Sequence, residues 1–297
     1  MKVTIVGAGV VGAATGIGLS RKGNIVTFYD INYVALRKRR LQGLKIAQSL
    51  SESIKGAEVV VLCLPTPPID GTLDMSFLER VAEDIGPLLD GQIVVSRSTV
   101  VPGTTRKLSR YVPPEDLVYN PAFLRHRFAL DDFLSPERIV IGTQHSRALK
   151  RMKDLYRNIT APIICTDWET AETAKLFSNA FLATKISFFN ELWGLCEKLG
   201  VNTNLVEKIL AMDKRIGAYG TKGGAPFDGP CLPKDSQALL ELGMGRGVGM
   251  GILQAVLLMN RQFYRMGHNP EPFETDHGQV EEENLAPSSQ SLQAHQA

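Results

Sequence analysis

The chain has 297 residues, of which 44% are hydrophobic and 22% are charged, and its formal net charge is +2. This composition is typical of a globular protein of about two domains, and it excludes a disordered chain, a collagen and a disulfide-stapled miniprotein. The small net charge gives no reason to expect nucleic acid as a partner. Six acidic residues and no Lys or Arg follow Gly267, and we predict a disordered acidic tail over residues 268–297.

No stretch of the sequence is long and apolar enough for a signal peptide or a membrane span, so a membrane partner is not expected. The four cysteines lie far apart and form no CxxC pair; they are Cys63, Cys165, Cys196 and Cys231. This spacing argues against a disulfide framework and against a metal site. We therefore expect reduced thiols in a cytoplasmic protein.

Up to residue 165, short strand-forming runs alternate with helical stretches, which predicts βαβ units and a parallel sheet. The predicted strands are Lys2–Val6, Ile25–Tyr29, Val59–Leu64, Ile93–Ser96, Arg138–Ile141 and Pro162–Cys165. We assign residues 1–168 to this α/β domain. The basic run 37–40 is interpreted as a solvated helix face near the place of a cofactor's adenosine end.

The pattern changes after residue 165 to one of helices alone. A long helix is predicted over 170–199, ended by Gly200. Its apolar residues recur at helical spacing and are expected to face a core; they are Leu176, Phe177, Ala180, Phe181, Ala183, Thr184, Phe188, Leu192 and Leu195. Further helices are predicted over 205–212, 235–242 and 252–265, so residues 169–267 form an all-helical domain. The alternating glycines from 243 to 251 lack a Walker ending and are interpreted as a flexible connection.

The first turn carries a glycine pattern that points to a dinucleotide. Gly7, Gly9 and Gly12 follow a predicted strand and open a helix, and Asp30 ends the next strand eighteen residues later. In this context Gly7 makes the turn, Gly9 admits the pyrophosphate and Gly12 allows the helix to pack on the sheet. Asp30 would bind ribose hydroxyls and repel a 2′-phosphate, which favours NAD over NADP. A purely structural Gly-rich turn is the alternative.

Two threonine-bearing loops follow later strands. Leu64-Pro65-Thr66-Pro67 follows one strand and Ser98-Thr99-Val100-Val101-Pro102-Gly103-Thr104 follows the next. Ligands bind at the carboxyl ends of strands in open α/β sheets, so Thr66 and Thr99 are candidate contacts to a cofactor or a water. A helix cap or a turn residue is the alternative for each.

The richest chemistry lies in Phe227-Asp228-Gly229-Pro230-Cys231-Leu232-Pro233-Lys234-Asp235. We predict that Asp235 is the N-cap of a helix, which would put Cys231 just before a helix N-terminus and near Lys234. Both features stabilise a thiolate. A lone cysteine can also be a small core residue, but a loop rich in Gly and Pro favours a nucleophile.

Three polar residues share one face of the long helix, because Glu172, Lys175 and Asn179 are spaced three and four apart. One interpretation is a solvated Glu–Lys pair. The other is that Lys175 and Asn179 are a pair of hydrogen-bond donors directed at an oxyanion. The segment 120–125 is a loop that carries Arg125, and it gives a weak signal for phosphate binding.

Taken together, these motifs resemble the UDP-glucose/GDP-mannose dehydrogenase family. GAGVVG, LPTP, STVVPGT, NPAFLR, ExxKxxxNAFLAxKISFxNE and GPCLPKD occur in the family's order over roughly residues 1–265. The resemblance implies a Rossmann-like parallel sheet domain, a long connecting helix and an all-helical middle domain that forms a homodimer. It also implies a two-step oxidation of carbon six of a nucleotide sugar, with NAD and a cysteine thioester.

The resemblance also implies roles for residues of the reaction centre. Cys231 matches the family's nucleophile, and Asp235 matches the acid that orders the catalytic water. Lys175 and Asn179 match the residues that support the oxyanion and proton transfer. Thr99 matches a threonine near the nicotinamide.

Cofactor and substrate contacts follow in the same way. The residues that match NAD contacts, besides the three glycines of the first turn, are Val11, Asp30, Thr66, Thr99 and Lys234. The residues that match substrate contacts are Phe123, Leu124, Arg125, Lys175, Asn179, Gly220, Gly224 and Gly229. Arg215 matches an arginine that reaches the substrate of the neighbouring subunit.

Two departures from the family pattern bear on function. Ala122 and His126 stand where the family usually has glutamates. The resemblance also implies a further α/β domain after the middle one, at the place where we predict the acidic tail. The leading hypothesis is a UDP-glucose 6-dehydrogenase. The alternatives are a non-catalytic or partner-dependent shortened homologue and a β-hydroxy acid dehydrogenase, which has no need of Cys231.

Overall fold

The computed structural model describes residues 1–267, so the predicted acidic tail 268–297 lies outside the described residues. Ten strands occur within residues 1–267: β1 Lys2–Val6, β2 Ile25–Tyr29, β3 Lys45–Ile46, β4 Val59–Leu62, β5 Pro68–Ile69, β6 Thr72–Leu73, β7 Ile93–Ser96, β8 Leu117–Tyr119, β9 Ile139–Gly142 and β10 Ile163–Thr166. The six predicted strands are confirmed: β1, β2 and β7 have the predicted bounds, and the ends of β4, β9 and β10 differ by one or two residues. The short strands β3 and β8 and the hairpin β5–β6 were not predicted.

Eight of these strands form one sheet, in the order β3-β2-β1-β4-β7-β8-β9-β10. β1 lies between β2 and β4 and is parallel to both. The connections from β1 to β3 therefore run to one side of β1, and those from β4 onward run to its other side. This reversal leaves a crevice at the carboxyl ends of the strands. β9 is antiparallel to β8, so the Rossmann-like sheet is mostly parallel.

Both faces of the sheet are covered, which explains why the central strands are apolar throughout. All four residues of β4 are buried. Val59 and Val61 point into one core with α-helical residues, and Val60 and Leu62 point into the other. Successive side chains of a strand point to opposite faces of the sheet, and here both faces are covered by apolar residues.

Eleven α-helices occur in the same residues: α1 Val10–Arg21, α2 Tyr33–Leu41, α3 Leu50–Ile54, α4 Ser76–Ile85, α5 Thr104–Leu108, α6 Ala129–Leu134, α7 Ser146–Tyr156, α8 Trp168–Leu199, α9 Thr203–Ala211, α10 Leu232–Gly245 and α11 Gly251–Arg265. The last four form the helical part of the fold, whose core lies between α8, α10 and α11. Within residues 1–267, no helix combines the length and apolarity that crossing a bilayer requires.

The long helix α8 confirms the predicted element and its end. The Asp167 side chain accepts a hydrogen bond from the Thr170 amide at 2.7 Å, which starts the helix two residues before the predicted position. Gly200 adopts a left-handed conformation with φ 65° and ends it. Trp168 and Ala171 pack in the core under the sheet, and later residues pack in the helical core.

One expectation for α8 is wrong. Phe177, Phe181, Phe188 and Leu195 were expected to face a core, but they lie on an exposed face, with Phe181 68% and Phe188 59% exposed. Leu176, Ala180 and Ala183 fill the core instead. Helical spacing alone does not distinguish two apolar faces on one helix, and α8 has both.

The glycine run between 243 and 251 is only partly a connection. Gly243 and Gly245 lie inside α10, and residues 246–250 alone join α10 to α11. A Cβ on Gly243 would lie 2.4 Å from Cγ of Met250, so a larger residue there would have to displace the Met250 side chain.

Candidate active site

The three glycines of the turn between β1 and α1 lie in different surroundings. Gly7 has φ 98°, and a Cβ there would lie 2.2 Å from the carbonyl oxygen of Cys63. A Cβ on Gly12 would lie 1.8 Å from the Gly7 carbonyl oxygen. Gly9 has φ −66°, and a Cβ on it would meet no atom within 4 Å. The fold thus requires Gly7 and Gly12, while Gly9 faces open space at a helix N-terminus, where a pyrophosphate fits.

A carboxylate lies beside this turn. Asp30 follows β2, and its Oδ2 accepts a hydrogen bond from the Ala8 amide at 2.6 Å while Oδ1 accepts one from the Asn32 amide at 2.8 Å. Val11, in the first turn of α1, is half-buried. Open space before a helix N-terminus with an acceptor carboxylate at its side fits a dinucleotide.

The loops after β4 and β7 are joined to each other. The Ser98 hydroxyl donates to the Leu64 carbonyl at 2.8 Å and accepts from the Leu64 amide at 2.9 Å. The Thr66 hydroxyl donates to the Thr99 carbonyl at 2.8 Å. Thr66 and Thr99 therefore lie together at this edge of the sheet, with Thr66 buried and supporting the Thr99 backbone.

Cys231 occupies the N-cap position of α10 and is exposed, so the prediction that it lies at a helix N-terminus is confirmed. The prediction that Asp235 is the N-cap is wrong. The helix begins at Leu232 because Pro233 fits the first turn of a helix, and the Asp235 amide bonds to the Cys231 carbonyl at 3.0 Å. Asp235 is fully buried within the helix instead.

A chain of hydrogen bonds joins α8 to α10 through buried side chains. Lys175 Nζ donates to Asn179 Oδ1 at 3.2 Å, and Asn179 Nδ2 donates to Asp235 Oδ2 at 2.6 Å. Lys234 Nζ donates to Asp235 Oδ1 at 2.6 Å. We call these four residues the polar chain. Lys234, predicted to contact NAD, is here an ion-pair partner of Asp235.

Burial gives Lys175 an unusual acidity. The loss of solvation lowers the pKa of Lys175, and the negative charges of Asp235 and Cys231 oppose that shift. A lowered pKa increases the fraction of neutral amine, which is the form that can accept a proton.

Glu172, the third polar residue of this helix face, is 0% exposed. It accepts backbone hydrogen bonds from Gly103 at 2.6 Å and Thr105 at 2.7 Å. Burial raises the pKa of Glu172, and these hydrogen bonds oppose the shift. The alternative of a solvated Glu–Lys pair is therefore wrong.

The loop after β8 brings an aromatic ring to the polar chain. The Phe123 ring lies near two cations, with the Arg138 guanidinium 4.2 Å and the Lys175 ammonium 5.3 Å from its centroid. Leu124 packs on the core of the sheet domain. Arg125 forms an ion pair with Asp132 at 2.6 Å and stacks over Phe128 at 4.8 Å.

The two departures from the family pattern lie in the same loop. Ala122 is buried, with 7% of its surface exposed. His126 begins a short 3₁₀ turn, His126–Phe128, and is half-buried. The loop is therefore ordered around both positions without glutamates.

The Gly-rich segment 216–229, which we call the glycine loop, is held by four side chains for which no role was predicted, although Lys185 and Asn190 are fixed positions of the ExxKxxxNAFLAxKISFxNE motif. Lys185 Nζ donates to the Ile216 and Gly217 carbonyls at 2.7 and 2.9 Å. Three buried side chains accept hydrogen bonds from backbone amides of the loop at 2.7 to 2.9 Å: Glu207 from Gly223, Asn190 from Gly224 and Asn260 from Phe227. Polar residues on apolar helix faces were the signal that could have revealed them.

The predicted substrate glycines lie in this loop in left-handed conformations. Their φ values are 68° for Gly220, 96° for Gly224 and 83° for Gly229. Arg215, just before the loop, is exposed and forms an ion pair with Asp213 at 2.6 Å.

A second buried cation escaped prediction. Arg97, directly after β7, donates to the Asn120 side chain and, at 2.7 Å, to the Tyr156 hydroxyl. Asn120 begins the loop that carries Phe123. Burial raises the pKa of the nearby Cys63 to about 12, although the charge of Arg97 opposes this. Nothing in the sequence pattern distinguished Arg97 from an ordinary loop arginine.

Comparison with known proteins matches both parts of the chain. The NAD binding domain of the UDP-glucose/GDP-mannose dehydrogenase family matches residues 34–160, and its central domain matches residues 169–262. The UDP-glucose 6-dehydrogenase TuaD of Bacillus subtilis is 31% identical over 290 residues, which cover 88% of this chain and 63% of that protein.

Solved structures of nucleotide-sugar dehydrogenases are also similar to this chain. A UDP-glucose dehydrogenase of Pyrobaculum islandicum has a TM-score of 0.82 at 34% identity, covering 89% of this chain and 68% of that one. A GDP-mannose dehydrogenase of Pseudomonas aeruginosa has a TM-score of 0.67 at 27% identity, covering 89% of this chain and 69% of that one. The chain therefore spans about two thirds of the length of these relatives.

Proposed function

Because the chain belongs to the UDP-glucose/GDP-mannose dehydrogenase family and contains its NAD binding domain, we propose that it oxidises carbon six of a nucleotide sugar from alcohol to carboxylate. UDP-glucose is the proposed substrate, by similarity to the Bacillus and Pyrobaculum relatives. One observation supports this most directly: Cys231 at the N-terminus of α10, on the helix that the polar chain joins to α8.

The cofactor would lie against the carboxyl ends of the strands. Gly9 and Val11 would contact the pyrophosphate, Asp30 the ribose hydroxyls, and Thr99 the nicotinamide side. When bound, NAD supplies a hydride acceptor for each of the two oxidations.

The first oxidation needs a group that removes the hydroxyl proton of carbon six. Lys175 is suited to this because burial lowers its pKa and so favours the neutral amine, and the hydrogen bond from its Nζ to Asn179 Oδ1 at 3.2 Å orients it. The hydride leaves carbon six as the proton moves toward Lys175, and the product is an aldehyde.

The second oxidation needs a covalent intermediate, because an aldehyde carbon must first gain an electron-rich substituent before it can lose another hydride. The Cys231 thiolate would add to the aldehyde and form a carbon–sulfur bond. Lys175 and Asn179 are donors for the resulting oxyanion. Loss of hydride then gives a thioester, and a water ordered by Asp235 cleaves the carbon–sulfur bond to release the carboxylate and the thiol.

The substrate would lie between the two loops that flank the polar chain. Phe123 and Leu124 on one side and Gly220, Gly224 and Gly229 on the other would line the sugar nucleotide. Arg125 would reach the diphosphate if it exchanged Asp132 for a phosphate oxygen, since both are anionic acceptors.

We also propose that two copies of the chain pair through the exposed face of α8. Phe181, Phe188 and Leu195 recur every seven residues on this face and are each at least 59% exposed. Ile209 of α9 and Met212, the residue directly after α9, are also exposed. An apolar stripe of this period is suited to packing against the same helix of a second copy. Arg215, near the end of α9, would then approach the site of the other copy.

The test is the amount of NADH formed per UDP-glucose by the purified chain. We expect two NADH per sugar and a turnover number at least about 100-fold lower for Cys231→Ser, because the second oxidation depends on the thiolate. Cys165→Ser is the matched control, since Cys165 is also exposed but lies on the edge strand β10, and it should behave as wild type.

Two outcomes would contradict the proposal. Absence of NADH with UDP-glucose and with other UDP- or GDP-sugars would favour a non-catalytic or partner-dependent protein. One NADH per β-hydroxy acid, with no effect of Cys231→Ser, would indicate a β-hydroxy acid dehydrogenase.

A further inference from the structure

Glu172 connects the two parts of the chain that match different domains of the family. It lies on α8, within the match to the central domain, whereas Gly103 and Thr105 lie within the match to the NAD binding domain. Both carboxylate oxygens are used, since Oε2 accepts from the Gly103 amide and Oε1 from the Thr105 amide. Because the carboxylate is fully buried, water does not compete for these hydrogen bonds.

The segment 97–103 joins β7 to α5 and carries Thr99, and we call it the Thr99 loop. Glu172 binds its last residue, Gly103, and Thr105 in the first turn of α5. The other end of the Thr99 loop is fixed to the loop after β4 by the hydrogen bonds of Ser98 with Leu64 and of Thr66 with the Thr99 carbonyl. Glu172 therefore completes the attachment of the Thr99 loop, binding it to α8 where the other contacts bind it to the sheet.

The same face of α8 carries the reaction chemistry. Glu172 precedes Lys175 by three residues and Asn179 by seven, which are one and two helical turns. A rigid helix thus sets the distance between the Thr99 loop and the polar chain. A shift of the loop along α8 would change the distance between the proposed nicotinamide position and Lys175.

We propose that Glu172 is a positioning residue, which holds the Thr99 loop against α8 so that the nicotinamide side and the Lys175 side of the site meet at carbon six. This inference rests on the proposed function. Glu172 faces backbone amides of the protein and is not assigned a contact with substrate or cofactor.

The test compares Glu172→Gln with Glu169→Gln. Glu169 is a matched control because it lies one turn earlier on α8 and also binds the α5 segment, through an ion pair with Arg106 at 2.6 Å that is open to solvent. Gln keeps the shape of Glu172 but turns an NH₂ group toward one of the two amides. We expect kcat to fall about 10- to 100-fold in Glu172→Gln, as for a displaced reacting group. KM for NAD and for UDP-glucose should stay within about 3-fold, and Glu169→Gln should match wild type.

A second measurement does not depend on turnover. Hydrogen exchange of the amide that faces the new NH₂ group, Gly103 or Thr105, should be faster in Glu172→Gln than in wild type or Glu169→Gln. If Glu172→Gln does not fold, Glu172→Asp retains the charge but shortens the side chain by one methylene, and the same changes are expected.

The outcomes separate the two proposals. Wild-type protein that forms no NADH contradicts the proposed function, and the exchange rates then decide whether Glu172 holds the loop. Active wild type with an unchanged kcat in Glu172→Gln overturns the positioning role. A loss confined to the KM for NAD also overturns it, because it would indicate a role in cofactor binding alone.

Discussion

At the scale of single residues, Gly9 and Gly12 belong to one turn but differ in what requires them. A Cβ on Gly12 would overlap the Gly7 carbonyl, whereas a Cβ on Gly9 would enter empty space. We expect Gly12→Ala to cost about 1 to 3 kcal/mol of folding free energy through overpacking. Gly9→Ala should leave the melting temperature within about 2 °C of wild type but weaken NAD binding at least about 10-fold, because the methyl group occupies the pyrophosphate position.

Thermal unfolding and titration with NAD measure these two effects separately. Gly245→Ala is a control in which a Cβ also meets no atom within 4 Å, far from the turn. NAD affinity should stay at the wild-type value, and the melting temperature should not fall, because alanine is favoured over glycine in a helix. Unchanged NAD affinity in Gly9→Ala would show that the cofactor does not approach this glycine.

Lys175 leads to a prediction for the pH dependence of turnover. Its pKa is lowered by burial, and only the neutral amine accepts a proton, so kcat should rise with pH through an inflection below the usual Lys value of 10.5. The residual activity of Lys175→Met should lack this inflection. If wild type and Lys175→Met have the same pH profile of kcat, another group is the base.

At this scale, the sequence predicts the features that depend on the chemistry and spacing of neighbouring residues. Cys231 before a helix and the shared face of Lys175 and Asn179 could both be read from neighbouring residues. The role of Asp235 in the polar chain could not, because its partner Asn179 is 56 residues away. Arg97 was missed for the same reason, since Tyr156 lies 59 residues along the chain.

At the scale of elements, the glycine loop shows how a segment rich in glycine can be well defined. Lys185 on α8 binds two of its carbonyls, so its removal should loosen the loop where substrate is proposed to bind. Loss of a charged hydrogen bond of about 1.5 kcal/mol corresponds to roughly 10-fold in binding. We expect KM for UDP-glucose to rise about 10-fold in Lys185→Met, with little change in the dissociation constant of NAD.

Lys198→Met is the matched control, because Lys198 lies on the same helix and is exposed. Steady-state kinetics for both substrates and NAD titration distinguish the cases. An equal loss of NAD affinity in Lys185→Met would mean that the glycine loop does not act on the sugar nucleotide alone.

Elements with strong local signals were predicted well. The predicted end of α8 at Gly200 is confirmed, whereas its start after Asp167 lies two residues before the predicted one. The strand β8 was missed because three residues give too short a pattern to recognise. The start of α10 was misplaced because a proline was treated as part of the preceding loop, although it is compatible with the first turn.

At the scale of the whole molecule, the exposed face of α8 predicts a change in oligomeric state. Phe181→Asp with Phe188→Asp should convert a dimer to a monomer, because charges would have to be buried in the interface. Light scattering after size exclusion measures the mass. The matched control is Phe77→Asp, since Phe77 of α4 is a similarly exposed phenylalanine away from this face, and it should remain dimeric.

A monomeric wild-type chain at micromolar concentration would contradict the dimer, as would a dimer that tolerates both aspartates. The sequence could indicate that α8 is apolar on several sides. It could not indicate which side meets the protein's own core, because that depends on where α10 and α11 pack.

The sharing of α8 between two cores has a consequence for how the protein melts. Trp168 and Ala171 belong to the core beneath the sheet, whereas Leu176 and Ala180, five and nine residues after Ala171, belong to the core of the helices. Unfolding of the sheet domain or of the helical part would remove packing contacts from α8, which the other part needs. The two parts are therefore thermodynamically coupled through the backbone of α8. Calorimetry of the chain should therefore record one cooperative transition, with matching calorimetric and van't Hoff enthalpies, instead of two separate melts.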